Sequence, residues 1–256
     1  MNASVKIEHL GHQGDGVGTI DGRAVFVPFA LPQEQVETSG NGARRQIVSI
    51  QSPSPDRVEP FCDLFGTCGG CQLQHLKHDA YVAWKRSLLI DAFAREEITI
   101  QPQPMRTYER QSRRRTVLTA KRSNGALIMG FSERGSHNLV DVSTCPILEP
   151  ALDNVLSSVK ALVETVAPKK GDVRINLLKC DNGVDLALAF NGRVENKLIL
   201  ELISNPASKE FIRLSLNGEI VFESQRPLLG AGFATLSPAP DAFVQAVQAA
   251  EEDMAE

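Results

Sequence analysis

Three cysteines crowd into one short segment, Cys62-x5-Cys68-Gly69-Gly70-Cys71, and a fourth, Cys145, stands 145 − 71 = 74 residues further on in Thr144-Cys145-Pro146. Four thiolates are the ligand set of an iron–sulfur cluster or of a tetrahedral zinc. Three ligands on one tight loop and one from afar would tie two distant segments to one centre, which restricts the folds open to the chain. Gly69 and Gly70 are expected to let the backbone bend closely around such a centre, because they carry no Cβ. The x5 spacing departs from the paired CxxC knuckles of zinc ribbons and from the common ferredoxin runs, so spacing alone leaves both metals open. The fifth cysteine, Cys180, ends the stretch Ile175-Asn176-Leu177-Leu178-Lys179-Cys180 and reads as a small core residue.

The formal net charge is −4 over 256 residues, so the chain has no global basic field for a nucleic acid, and any such site must be a local patch. No apolar run approaches the roughly 20 residues of a membrane span. The N-terminus, MNASVKIEHLGHQGDG, lacks the apolar core of a signal peptide. The expectation is a cytoplasmic monomer without a membrane partner. In a reducing compartment, clustered cysteines read as metal ligands or catalytic thiols before disulfides.

Residues 1–50 carry short alternating segments joined by glycine turns, with Asp21-Gly22 as a hairpin signal between Gly18-Thr19-Ile20 and Arg23–Phe29. Four or five such strands suggest a small OB-type barrel over 1–55, followed by a Ser52-Pro53-Ser54-Pro55 linker. The cysteine loop occupies 60–75. A helix is predicted from Asp79 to about Glu97, with Tyr81, Trp84, Leu88 and Ala92 on one face. Strands return over 113–142, and Pro150 to Val166 reads as one helix. Further strands are placed near 173–180, 184–190, 211–216 and 219–223. A last helix is expected from Pro240 or Asp241 into the terminus, uncapped at its end. That end reads either as frayed or as belonging to a fragment. The fold class is therefore α+β: an N-terminal OB-like barrel, a cysteine loop and a central antiparallel β-rich domain.

Between Lys85 and Arg122 stand ten Lys/Arg against four acids, a local balance of +6. Arg113-Arg114-Arg115 at the start of a strand could meet phosphates, although a charge run is more often a solvated face. Gly14-Asp15-Gly16-Val17-Gly18 is no dinucleotide loop, because a strand rather than a helix follows it. His75, His78 and His137 are candidates for chemistry or ligation, against the plainer role of packing near a site.

The run Phe61-Cys62 to Gly66-x-Cys68-Gly69-Gly70-Cys71-x-Leu73-Gln74-His75, with Cys145-Pro146 and Glu149-Pro150, resembles the RNA uracil-5-methyltransferases, which use S-adenosylmethionine. Gly14 to Gly18 and Val25 to Pro32 resemble their TRAM domain, an RNA-binding barrel. Gly130-Phe131-x-x-Arg134-x-Ser136-His137-x-Leu139-Val140-Asp141 and Phe243-Val244-Gln245 also resemble family segments. The resemblance implies a [4Fe-4S] cluster on Cys62, Cys68, Cys71 and Cys145, structural and close to RNA. It implies contact of Gln245 with the methyl donor, and an rRNA or tRNA partner met by Arg113, Arg114, Arg115, Arg134 and His137. The family often has Asn two residues after the glutamine, where this chain has Val247. The reaction implied is methyl transfer to C5 of uridine after a cysteine adds to C6. No catalytic residue is assigned in this chain, because the family's donor loop, nucleophile and base have no counterparts here. The expected organisation is 1–55 TRAM, 60–75 cysteine loop, 76–235 central domain, with 76–105 packing on a methyltransferase domain, and 236–256 the start of a truncated Rossmann-like domain. The alternatives are a catalytically inactive [4Fe-4S] RNA-binding protein and a zinc-only binding module.

Overall fold

The computed structural model describes residues 2–255. The chain divides into two compact units, Met1–Arg106 and Thr107–Glu256.

The first unit opens with five antiparallel strands: β1 (Ala3–Leu10), β2 (Gly16–Ile20), β3 (Arg23–Val27), β4 (Gln35–Ser39) and β5 (Gln46–Ser52), in the order β3-β2-β1-β4-β5. The two edges approach each other where Phe26 bridges to Arg44, with Phe26 accepting from the Arg45 amide at 2.9 Å, so the sheet curls toward a barrel. Alternation puts Val5, Ile7, Val25, Val27 and Val36 inside, where they pack with Ala30. Gly18 is demanded by close backbone approach: a Cβ there would lie 2.4 Å from the Lys6 carbonyl. This glycine therefore serves strand packing, as expected of a turn-and-strand segment. Asp21 (φ 48°) and Gly22 (φ 74°) make the predicted hairpin turn with two left-handed residues.

The Ser-Pro segment after β5 is pinned to the barrel. Glu34, fully buried, accepts from the Leu31 amide at 2.8 Å and the Ser54 amide at 3.1 Å, and Arg57 Nε reaches it at 2.6 Å. α1 (His78–Ala94) follows, ending three residues short of the predicted Glu97, which takes a left-handed φ of 59°. It has no fully buried residue; Tyr81 and Trp84 pack on Leu10, Leu31 and Leu76.

The second unit is built on a seven-stranded sheet in the order β12-β11-β10-β9-β6-β7-β8. Its strands are β6 (Arg115–Ser123), β7 (Ala126–Ser132), β8 (Leu139–Asp141), β9 (Asp172–Cys180), β10 (Gly183–Phe190), β11 (Arg213–Leu216) and β12 (Glu219–Glu223). Every neighbouring pair is antiparallel except β10–β11. The predicted helix over 150–166 breaks at Val155 (φ −91°, ψ 0°) into α2 (Pro150–Asn154) and α3 (Leu156–Val166). α3 buries Leu156, Val159, Leu162, Val163 and Val166 on one face. Not anticipated were α4 (Asn196–Ser204), a 3-10 turn over Pro206–Glu210, and the hairpin β13 (Leu229–Ala231)–β14 (Ala234–Leu236).

The last helix, α5 (Gln248–Ala255), begins seven residues later than Asp241, where it was expected. Residues 241–247 are irregular because their polar groups are engaged elsewhere. Asp241 (φ 58°) takes hydrogen bonds from Arg174 and Asn176 of β9, and Val247 pairs with Arg113 in an isolated bridge.

Candidate functional site

In the first unit, Cys62, Cys68 and Cys71 sit half-buried on one turn-rich loop. The loop is held from inside. Cys68 N donates to the Leu64 carbonyl at 2.9 Å, Phe65 N to that of Cys62 at 2.9 Å, and Gly70 N is directed at Cys68 Sγ at 3.5 Å. The left-handed glycine that turns this loop is Gly66 (φ 92°). Phe65 and the buried His75 pack ring against ring at 5.2 Å, and Phe65 meets Phe29 at 5.3 Å, so the loop is keyed to the barrel by aromatic contacts. His75 is thus a packing residue beside the cysteines, while His78 is exposed at the start of α1.

In the second unit, Cys145 is buried ahead of α2. Asp153 of α2 shapes its turn, accepting from the Cys145 amide at 2.6 Å and from Thr144 Oγ1 at 2.9 Å. All five cysteines are free thiols. Among the described residues, no three His, Cys, Asp or Glu side chains are gathered into a metal-binding group. Cys180 is fully buried, and burial first, then the Asp185 carboxylate, push its thiol up to about 12. It is protonated at neutral pH and inert as a nucleophile.

The three consecutive arginines have three different environments. Arg113 is exposed at its side chain, while its backbone bridges both to Leu148 and to Val247. Arg114 is 2% exposed. Its amide donates to the Ala246 carbonyl at 2.7 Å, Nε to the Gln245 carbonyl at 3.2 Å, and its guanidinium to Glu251. Arg115 lies over the Phe243 ring, 5.2 Å from its centroid. Of the three, Arg113 keeps its side chain exposed, Arg115 is half-buried against Phe243, and the charge of Arg114 is spent inside the fold. Beside them opens a cleft of about 330 Å³ whose walls include Arg114, Gly230, Pro238, Phe243, Val244 and Glu251. Gln245 is half-buried next to it.

Arg134 and His137 sit together on the turn between β7 and β8. Glu133 organises that turn by accepting from Ser136 Oγ at 2.9 Å and Asn138 Nδ2 at 3.0 Å, which lowers its own pKa. Lys121 of β6 reaches the His137 carbonyl at 3.3 Å and ties this turn to the neighbouring strand. Sequence reading missed Asp153, Glu133 and the Arg114–Glu251 pair. Glu251 lies 137 residues from Arg114, while Glu133 and Asp153 act within their own turns, where no recognised pattern marks them.

A family model described as the TRAM domain matches residues 3–38, which span β1 to β4. An uncharacterized RNA methyltransferase of Rhizobium meliloti (strain 1021) is 36% identical over 98% of this chain and 62% of its own length. The 23S rRNA (uracil(1939)-C(5))-methyltransferase RlmD of Methylococcus capsulatus is 34% identical over 83% of this chain and 48% of its own length. Along nearly its whole length the chain is similar to RNA methyltransferases. It spans about three fifths of the length of the first of these relatives. Among solved structures, a Pyrococcus abyssi tRNA (uracil-54, C5)-methyltransferase in complex with S-adenosyl-L-homocysteine shares the fold. Its TM-score is 0.68 at 17% identity, over 98% of this chain and 63% of that one. The expectation of a largely missing Rossmann-like domain gains no support from that match, which takes in nearly all of the residues here. The α+β class and the TRAM-like N-terminal strands agree with these likenesses. No helix among the described residues is long and apolar enough to cross a membrane.

Proposed function

We propose that this chain serves the transfer of a methyl group from S-adenosylmethionine to C5 of a uridine in rRNA or tRNA. The observation that carries the reading is the alignment of RNA methyltransferases, two of them uracil-C5 enzymes by name, along nearly the whole chain. Residues 1–55 are read as the TRAM domain and 60–75 as the cysteine loop. Residues 76–235 are the central domain, in which 76–105 pack on methyltransferase elements, and 236–256 carry the first of those elements. RNA is the partner, met by Arg113, Arg115, Arg134 and His137. Gln245 contacts the methyl donor.

Cys62, Cys68, Cys71 and Cys145 would hold a [4Fe-4S] cluster. Their chemistry suits one: four thiols, none in a disulfide, with the Gly70 N–H directed at Cys68 Sγ. When bound, such a cluster supplies structural cross-linking through its thiolate ligands. The residues of this chain bind and orient RNA and donor. The addition of a thiolate to uridine C6 is assigned to none of them, because Cys180 is protonated and the other four cysteines are the cluster set.

The test combines three measurements on the anaerobically purified chain. Absorbance near 400 nm with about four irons per chain supports the cluster, and a colourless zinc protein overturns it. Binding of an rRNA or tRNA transcript should weaken steeply with salt. Titration with S-adenosylmethionine should show donor binding to the same chain. RNA binding without donor binding would favour the inactive RNA-binding alternative.

A further inference from the structure

The segment 241–251 is irregular up to Gln248, yet it is fastened at two points to the central sheet. At one end, Asp241 holds a left-handed φ of 58° while its carboxylate takes hydrogen bonds from Arg174 and Asn176 of β9. At the other, the buried Arg114, immediately before β6, donates from its amide to the Ala246 carbonyl, from Nε to the Gln245 carbonyl, and from its guanidinium to Glu251 of α5. One side chain thus engages a carbonyl, a carboxylate and, through its backbone, a second carbonyl. The side-chain amide of Gln245 has no hydrogen-bond partner among the described residues, so the backbone of this residue is committed while its amide stays available.

We propose that Arg114 is a positioning residue: its guanidinium fixes the backbone at Gln245 and Ala246 so that the Gln245 amide is held ready for a polar ligand beside the Phe243 cleft. The ligand is the methyl donor, a nucleoside with an amino-acid tail, and this part rests on the functional reading above. The planar fork of an arginine is what the arrangement requires. A lysine in its place keeps the charge but offers a single donor nitrogen, where arginine presents Nε to the carbonyl and a terminal nitrogen to the carboxylate in one fixed plane. The buried cation is compensated by Glu251, so the anchor holds as one unit with the first turn of α5.

The experiment uses the intact chain with Arg114→Lys, Gln245→Ala and the double variant, and Glu251→Gln as a milder probe should Arg114→Lys not fold. Amide hydrogen exchange is read first, without ligand. Arg114→Lys or Glu251→Gln should speed exchange at residues 244–249 by tenfold or more and leave β9 and β10 unchanged; unchanged exchange at 244–249 overturns the positioning role. Affinity for S-adenosyl-L-homocysteine is read second, by titration calorimetry. Gln245→Ala should weaken binding about tenfold in the wild-type background and less than twofold in the Arg114→Lys background. Equal losses in both backgrounds overturn the coupling, because a merely structural arginine lowers stability without conditioning the effect of Gln245. A wild-type chain with no affinity for the nucleoside sinks the functional reading and the ligand named here, whereas the exchange measurement still decides whether Arg114 sets this segment.

Discussion

Glu34 and Arg57 form a two-pronged ion pair, with Nε to Oε1 at 2.6 Å and a second guanidinium nitrogen to Oε2 at 2.9 Å, and the Glu34 side chain is wholly excluded from solvent. The same guanidinium also donates to the Phe29 carbonyl at 2.7 Å. The pair turns a Ser-Pro linker into a fixed extension of the barrel, and the cysteine loop starts from that fixed point.

Removing one partner leaves the other buried and uncompensated. Glu34→Ala should therefore cost about 3–5 kcal/mol of unfolding free energy. Burial raises the pKa of Glu34, but the Arg57 hydrogen bond, the Leu31 and Ser54 amides and the Arg57 charge together bring it below its ordinary 4.5. A folded pKa below the unfolded one gives stability that is present above about pH 4.5 and lost as pH falls through the depressed value. Thermal unfolding between pH 7 and pH 3 should show this loss in the wild type and a flatter profile in Glu34→Gln; parallel profiles would count against it.

Asp185 and Arg213 meet across the single parallel strand pair, with hydrogen bonds of 2.9 and 2.7 Å, both side chains almost wholly buried. Asp185→Ala or Arg213→Ala should each destabilise by about 3–5 kcal/mol, and an apolar replacement of both by much less. Urea unfolding of the two single variants and the double variant measures the difference.

Gly18→Ala brings a Cβ to 2.4 Å from a backbone oxygen that cannot swing away. A loss of about 3 kcal/mol or more is expected, at the upper end of overpacking costs. Were Gly18 instead part of a ligand loop, ligand binding would fall with melting temperature unchanged, and a thermal scan separates the two.

Cys180 should resist alkylation in the native protein at pH 8, since burial and Asp185 push its pKa to about 12. Cys62, Cys68 and Cys71 should be modified once any bound metal is stripped. Mass spectrometry of iodoacetamide-treated protein reads both, and rapid native labelling of Cys180 would refute its core assignment.

The arginine triplet should divide in RNA binding. Arg113→Ala should lower the slope of log affinity against log salt by about 0.7–0.9, the share of one phosphate contact. Arg114→Ala should instead lower melting temperature, its charge being turned inward. Filter binding at several salt concentrations, run beside thermal scans, distinguishes the two.

Local chemistry determined much of this protein from sequence alone. Alternation in residues 3–27 and 115–132 marked strands, Asp21-Gly22 marked a left-handed turn, and the Cys62 to His75 run marked the resemblance. Those signals lie within a few residues of each other, where backbone preference and side-chain period are enough. Only the tertiary structure decided the helix break at Val155, the late start of α5 at Gln248 and the inward fate of Arg114. For the last two the competing term is non-local. Arg114 meets Gln245 across 131 residues and Arg174 meets Asp241 across 67, and a helical periodicity in residues 241–247 carries no record of carbonyls and carboxylates already taken by a sheet.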